Sequence, residues 1–118
     1  EVGFIDHPTI PMSGASPDGI VGAGIVEIKC PSTATHIEYL FEREPPQKYF
    51  YQMQWQMACE GADWCDWVSY DPRMPESLQL LVVRIPRDPD CITLLEREVS
   101  GFLAELNVKV AKLKEMSL

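Results

Sequence analysis

The segment from Gly19 to Cys30 constrains the fold most strongly, because two apolar runs flank a glycine-rich turn at Gly22-Ala23-Gly24. Such a pattern is typical of a β-hairpin. Residues 25–30 alternate along the second strand, so their side chains project to two opposite faces. One face carries Val26, Ile28 and Cys30, and the other carries Ile25, Glu27 and Lys29. We expect the face that includes Cys30 to point to the core.

The carboxylate of Asp18 precedes the first strand, and its position relative to Glu27 depends on the hairpin turn. With a two-residue turn of Gly22 and Ala23, Asp18 lies directly opposite Glu27. A three-residue turn would send Asp18 to the other face unless a β-bulge restored the register. The prediction of a shared site therefore requires the two-residue turn or a bulge.

The order Asp18, eight residues, then Glu27-Ile28-Lys29 is typical of a metal-dependent nuclease centre. Mg2+ prefers carboxylate and carbonyl oxygens, and it can activate water and neutralise charge that develops on a phosphate. A lysine beside the attacking water can orient that water or take part in proton transfer. The same charged side chains are also compatible with a solvated sheet face, because short patterns of this kind are common.

The rest of the chain alternates between helical and extended patterns. An edge strand is predicted over Val2–Ile5, and residues 31–46 are expected to be irregular or briefly helical. A helix is predicted over 47–60, ended by Gly61, with strands over 64–70 and 78–85. A last amphipathic helix of roughly six or seven turns begins at Asp88-Pro89. We expect that helix to pack on the sheet, with a partner interface as the alternative.

Four ordered blocks extend the pattern along the chain: Ser16-Pro17-Asp18-Gly19, Glu27-Ile28-Lys29-Cys30-Pro31, Tyr49-x-x-Gln52-x-Gln54 and Tyr70-Asp71-Pro72-Arg73-Met74. With these blocks the chain resembles the phage lambda-type alkaline exonucleases, also called YqaJ-like viral recombinases, of the PD-(D/E)xK nuclease superfamily. The resemblance covers roughly residues 4–105. It implies a restriction-endonuclease-like α/β fold with a central mixed β-sheet flanked by helices. Residues 1–118 would form a single nuclease-core domain, the C-terminal part of a longer family member.

The resemblance also implies residue roles. It implies four catalytic residues: Asp18, Glu27, Lys29 and Gln52. It implies three ligands for Mg2+, for which Mn2+ can substitute: Asp18, Glu27 and the carbonyl of Ile28. Asp6 is the candidate ligand of a second metal ion, and Tyr49 and Arg73 are the candidate DNA-binding residues. Arg73 either binds a phosphate through paired hydrogen bonds or holds its own loop by pairing with Asp71 or a carbonyl.

The glutamines of the predicted middle helix cannot all serve one site. Tyr49, Gln52 and Gln56 share a face by helical spacing, whereas Gln54 lies about 200° from Gln52 at ~100° per residue. Gln52 is chosen because it matches the family's active-site glutamine, and its amide can both donate and accept hydrogen bonds. A surface glutamine is the alternative interpretation.

The implied function is a Mg2+-dependent exonuclease that digests one strand of linear duplex DNA from the 5′ end, in phage-type recombination. The implied partners are double-stranded DNA ends, a single-strand annealing protein and further copies in a homotrimer. The expected location is the cytoplasm, without a membrane partner. Two alternatives stay open: an endonuclease of the same superfamily, or a catalytically incomplete domain used for assembly or docking. The family's early acidic residue and its arginine for the terminal 5′-phosphate have no counterpart in this chain.

The composition is that of one globular domain with excess negative charge. The 118 residues are 46% apolar and 24% charged, and the net charge is −8. Nonspecific DNA binding usually requires a basic surface, so we expect few and local DNA contacts, or basic residues supplied by another segment or subunit. The four cysteines lack the spacing of a zinc site and are expected to be reduced and mostly buried: Cys30, Cys59, Cys65 and Cys91.

Overall fold

The computed structural model describes residues 3–117. Its helices and strands follow in the order β1 (Ile5–Asp6), β2 (Gly14–Ala15), β3 (Gly19–Val21), β4 (Gly24–Lys29), α1 (Thr33–Glu42), α2 (Gln47–Glu60), β5 (Trp64–Tyr70), β6 (Leu80–Pro86) and α3 (Pro89–Met116). The expected edge strand over Val2–Ile5 begins outside the described residues, and the strand β1 begins only at Ile5. It pairs with β2 in a small separate sheet.

The main sheet contains four strands in the order β3-β4-β5-β6. The outer pairs are antiparallel, and the central pair β4–β5 is parallel. The parallel pair requires a crossover connection, and helices α1 and α2 provide it. The predicted α/β fold with a central mixed sheet flanked by helices is therefore confirmed.

Local sequence signals fix most of the element boundaries. Helix α1 begins after Ser32, whose hydroxyl accepts a hydrogen bond from the Thr35 backbone N–H, and it is longer than the brief helix expected. Helix α2 ends as predicted at Gly61, which adopts a positive φ of 74° that favours glycine. Strand β6 begins later than predicted, because a short 3-10 helix occupies Glu76–Leu78.

Helix α2 lies across one face of the sheet and forms the core with it. The buried apolar cluster contains Ile25, Met53, Met57, Ala58, Ala62, Cys65, Trp67, Leu81 and Ile92. The expectation that the Cys30 face of β4 points to the core is wrong, because α2 covers the opposite face. Ile28 is 50% exposed and Cys30 is exposed. The face that carries Ile25 and Glu27 is the buried one.

Helix α3 begins as predicted, with Asp88 accepting a hydrogen bond from the Cys91 backbone N–H and Pro89 in the first turn. Its 28 residues make about eight turns, more than expected. It packs mainly against α2 rather than on the sheet, and Ile92 joins the core there. From Phe102 onward its apolar side chains are largely exposed. Among residues 3–117, no helix is long and apolar enough to cross a membrane.

Candidate active site

Strand β4 presents Glu27 and Lys29 on the face that α2 covers. Glu27 is only 5% exposed. The Lys29 ammonium lies 3.6 Å from Glu27 Oε2, and the lysine side chain is 27% exposed. A carboxylate in such a position needs a compensating charge or hydrogen bonds. The interpretation of these charges as a solvated sheet face is therefore wrong for Glu27, whereas Asp18 is exposed.

The β-hairpin brings Asp18 to the same place. Gly19 pairs with Val26 and Val21 with Gly24, so the turn contains two residues, as the shared site required. Continuation of this register places Asp18 opposite Glu27. The exposed Asp18 carboxylate accepts a hydrogen bond from the Ile28 backbone N–H at 2.8 Å. The predicted juxtaposition is thus present without a bulge.

The strand pairing explains why β3 offers no donor to the backbone carbonyl of Ile28. The N–H and C=O of one strand residue point to the same side, and the Ile28 N–H points to Asp18 rather than to β5. Continuation of the register places the buried Pro17 opposite Ile28, and proline has no N–H to donate. The sheet ladder therefore does not use the Ile28 carbonyl at this edge.

The chemical types of these groups suit a hard divalent cation. Asp18, Glu27 and the Ile28 carbonyl provide oxygen donors from two adjacent strands, which is the donor type that Mg2+ prefers. Within residues 3–117, no group of three or more His, Cys, Asp or Glu side chains is arranged to hold a metal ion. The oxygen donors of the candidate site are therefore two carboxylates and one backbone carbonyl.

Asp6, the candidate ligand of a second metal ion, lies on a different sheet from the β3–β4 hairpin that positions Asp18 and Glu27. It lies on strand β1 of the separate two-stranded sheet, where it pairs with Gly14. The neighbouring His7 is buried, stacks on Trp55 and hydrogen-bonds Glu96 at 2.5 Å. This segment is therefore held against α2 and α3, and the structure adds no support to Asp6 as a second-metal ligand.

Helix α2 contributes an aromatic ring and a second lysine. The Lys29 ammonium lies 4.5 Å from the centroid of the Tyr49 ring, and the Lys48 ammonium lies 5.0 Å from the same centroid. Gln52 follows one turn later and is exposed. The Tyr49 ring therefore lies next to Lys29 of the candidate site. Lys29 and Lys48 create a local positive region in a chain whose net charge is −8.

Gln56 is the residue that the sequence reasoning missed. Its Nε2 donates a hydrogen bond to Glu27 Oε1 at 3.2 Å, and the side chain is buried. It shares a helix face with Tyr49 and Gln52, but helical spacing alone does not show which of these side chains lies beside Glu27. Gln54 instead donates to the Pro86 carbonyl and accepts from the Asp88 N–H, which holds the loop before α3.

Arg73 stabilises the loop that follows β5. Its Nε donates to Asp71 Oδ1 at 2.7 Å, and its Nη2 donates to the Pro31 carbonyl at 3.0 Å. Asp71 is fully buried, and the Thr33 and Arg73 side chains lower its pKa to about 2. Of the two interpretations offered for Arg73, the contacts favour the structural one.

Comparisons with known proteins show the family and the fold of this chain. The model of the YqaJ-like viral recombinase domain matches residues 1–63. The crystal structure of an alkaline exonuclease, LHK-Exo from Laribacter hongkongensis, is 54% identical over 99% of this chain, with a TM-score of 0.96. The chain belongs to the YqaJ-like viral recombinase family. A second structure, LHK-Exo in complex with dAMP, matches with 54% identity, a TM-score of 0.94 and 99% coverage of this chain.

This YqaJ-like chain shares the PD-(D/E)xK fold of that alkaline exonuclease. It spans 61% of the length of the first of these solved chains and 60% of the second. A comparison with curated proteins gave no match.

Proposed function

We propose that this chain is the core of a Mg2+-dependent deoxyribonuclease that hydrolyses one strand of linear duplex DNA from its end. The observation that carries the proposal is the buried Glu27 carboxylate, held beside Lys29 and across the hairpin from Asp18. Further support comes from the 54% identity to an alkaline exonuclease whose structure has also been solved with dAMP.

Each residue has a separate role in the proposed reaction. Asp18, Glu27 and the Ile28 carbonyl would hold the cation, which when bound polarises the phosphate and activates water. Lys29 holds its positive charge near Glu27 and steers the attacking water toward phosphorus. Gln52, exposed one turn after Tyr49, orients that water or the phosphate through its amide.

DNA would be held locally, since the net charge of −8 opposes binding over a wide surface. Lys29 and Lys48 flank the Tyr49 ring, and their charges can neutralise backbone phosphates next to the cleavage point. A base or sugar of the digested strand can pack on the ring itself. We further propose that digestion proceeds from the 5′ end and serves phage-type recombination beside a single-strand annealing protein.

The function is tested with linear duplex DNA that carries either 5′-phosphate or 5′-hydroxyl ends, with a closed circle as the control. We expect loss of one strand of the linear DNA in Mg2+ and none in EDTA or with Lys29→Ala. Cleavage of the circle would identify an endonuclease instead. A chain that binds Mn2+ and cuts neither substrate would refute the proposed activity for this chain.

The DNA contact has its own test. Lys48→Met should weaken binding of duplex DNA in Ca2+ and reduce the slope of log affinity against log salt by about 0.9, as expected for one lost phosphate contact. Lys112→Met is the matched control, because Lys112 is exposed on the distal part of α3. Equal losses in both variants would indicate nonspecific attraction and refute a local role for Lys48.

A further inference from the structure

The contact between Gln56 and Glu27 joins two buried side chains from different elements. Gln56 on α2 is 4% exposed, and Glu27 on β4 is 5% exposed. The amide Nε2 lies 3.2 Å from Glu27 Oε1. Because a carboxylate only accepts hydrogen bonds, the NH2 group of the amide must face Glu27.

The orientation of the amide leaves its oxygen without a donor. Gln56 Oε1 is buried and has no hydrogen-bond partner among residues 3–117. Buried polar atoms are rarely left unpaired, since an unmade hydrogen bond is destabilising. If Gln56 only packed α2 against the sheet, an apolar side chain of similar size would do so without a buried, unpaired acceptor next to a carboxylate.

The two oxygens of Glu27 are consequently different. Oε1 accepts a hydrogen bond from the neutral amide. The Lys29 ammonium lies 3.6 Å from Oε2, which is longer than an ordinary hydrogen bond. An amide can hold a carboxylate without repelling a cation, whereas a lysine or arginine in the place of Gln56 would oppose cation binding. Partners of this kind orient metal ligands and tune their affinity.

We propose that Gln56 is a positioning residue that fixes Glu27 for binding of a divalent cation and accepts a hydrogen bond from an ordered water molecule at the site. This inference rests on the proposed function, because it assumes that Glu27 is a cation ligand. Gln56 acts through Glu27 and is not placed among the groups that contact the scissile phosphate.

The experiment is calorimetric titration of the whole chain with Mn2+, in the wild type, Gln56→Met and Gln54→Met. We expect Gln56→Met to weaken Mn2+ binding by about tenfold or more. Gln54→Met is the matched control: it removes an equally buried amide of the same helix, whose partners are Pro86 and Asp88. This control should lower Tm and leave the Mn2+ affinity unchanged.

Other results would overturn the inference. If the wild type binds Mn2+ and Gln56→Met binds it equally well, Gln56 is a structural residue and the proposed function stands. If the wild type binds no Mn2+, both fail. Gln56→Asn, whose amide ends one methylene short of Glu27, gives the same test if Gln56→Met does not fold. A high-resolution crystal structure without water at Gln56 Oε1 would refute the water contact.

Discussion

Replacement of Lys29 by methionine separates the electrostatic role of this residue from its catalytic role. Lys29 Nζ lies 3.6 Å from Glu27 Oε2, and the two side chains are 27% and 6% exposed. Breaking a buried ion pair costs about 3–5 kcal/mol, whereas an exposed pair contributes about 0–1 kcal/mol. Because the lysine is partly exposed and the separation is long, we expect a loss of about 1–2 kcal/mol without metal. Methionine keeps the apolar stem that packs near Tyr49.

This loss should depend on the cation. A destabilisation of about 1–2 kcal/mol lowers Tm by roughly 4–8 °C in a domain of this size. Bound Mg2+ supplies positive charge beside Glu27, so the difference in Tm between wild type and Lys29→Met should shrink when Mg2+ replaces EDTA. Cleavage of linear duplex DNA should nevertheless be abolished, because the cation cannot take over the proposed steering of the attacking water by Lys29.

The assay is thermal unfolding with EDTA or Mg2+, followed by digestion of end-labelled duplex DNA. Lys48→Met is the control for Tm, because that lysine is exposed and its change should stay within about 0.5 kcal/mol in both buffers. Cleavage by Lys29→Met at the wild-type rate would refute the catalytic role of Lys29. A Tm deficit that Mg2+ does not reduce would refute Glu27 as a cation ligand.

Three further predictions concern charge and thiols. Asp18→Asn should weaken Mn2+ binding by roughly tenfold or more, since it removes one of two carboxylates; unchanged calorimetric affinity would remove Asp18 from the ligands. The pKa of Asp71 is lowered to about 2 from its ordinary value of 3.8, so its contribution to stability is complete above about pH 4 and is lost as pH falls through about 2. Asp71→Asn should therefore flatten the pH dependence of unfolding free energy in that window, and an unchanged slope would contradict this reasoning. Burial raises the pKa of Cys59 to about 11 and of Cys65 to about 12, so a thiol reagent should modify exposed Cys30 first; equally fast modification of all three in the folded chain would contradict it.

The hairpin could be predicted from the sequence because its constraints are local. Gly22 adopts a positive φ of 59°, which favours glycine, and the two-residue turn then fixes which residues of the two strands face each other. Helix α2 was equally predictable, since Pro45-Pro46 precede it and Gly61 ends it. In both cases residues that are close in sequence determine the local structure.

The buried face of β4 could not be predicted in the same way. Alternation separates Ile28 and Cys30 from Ile25 and Glu27, but it does not say which face a distant helix will cover. The apolar face was the reasonable choice for the core, and it was wrong because α2 supplies Met53 and Met57 to the other side. Nor could the sequence identify Gln56 as a site residue, because its proposed role depends on its contact with Glu27, which lies beneath α2.

The end of strand β3 explains why the site lies where it does. Strand β4 continues beyond its partner, because Pro17 cannot donate to the next rung of the ladder. That interruption frees the Ile28 carbonyl and places the Asp18 carboxylate on the Ile28 N–H. On the neighbouring residue, α2 buries Glu27 and gives it a neutral amide partner. An exposed carboxylate, a backbone carbonyl and a buried, oriented carboxylate therefore lie on facing or adjacent residues at one strand end, and oxygen donors of these types are the ones that a hard cation prefers.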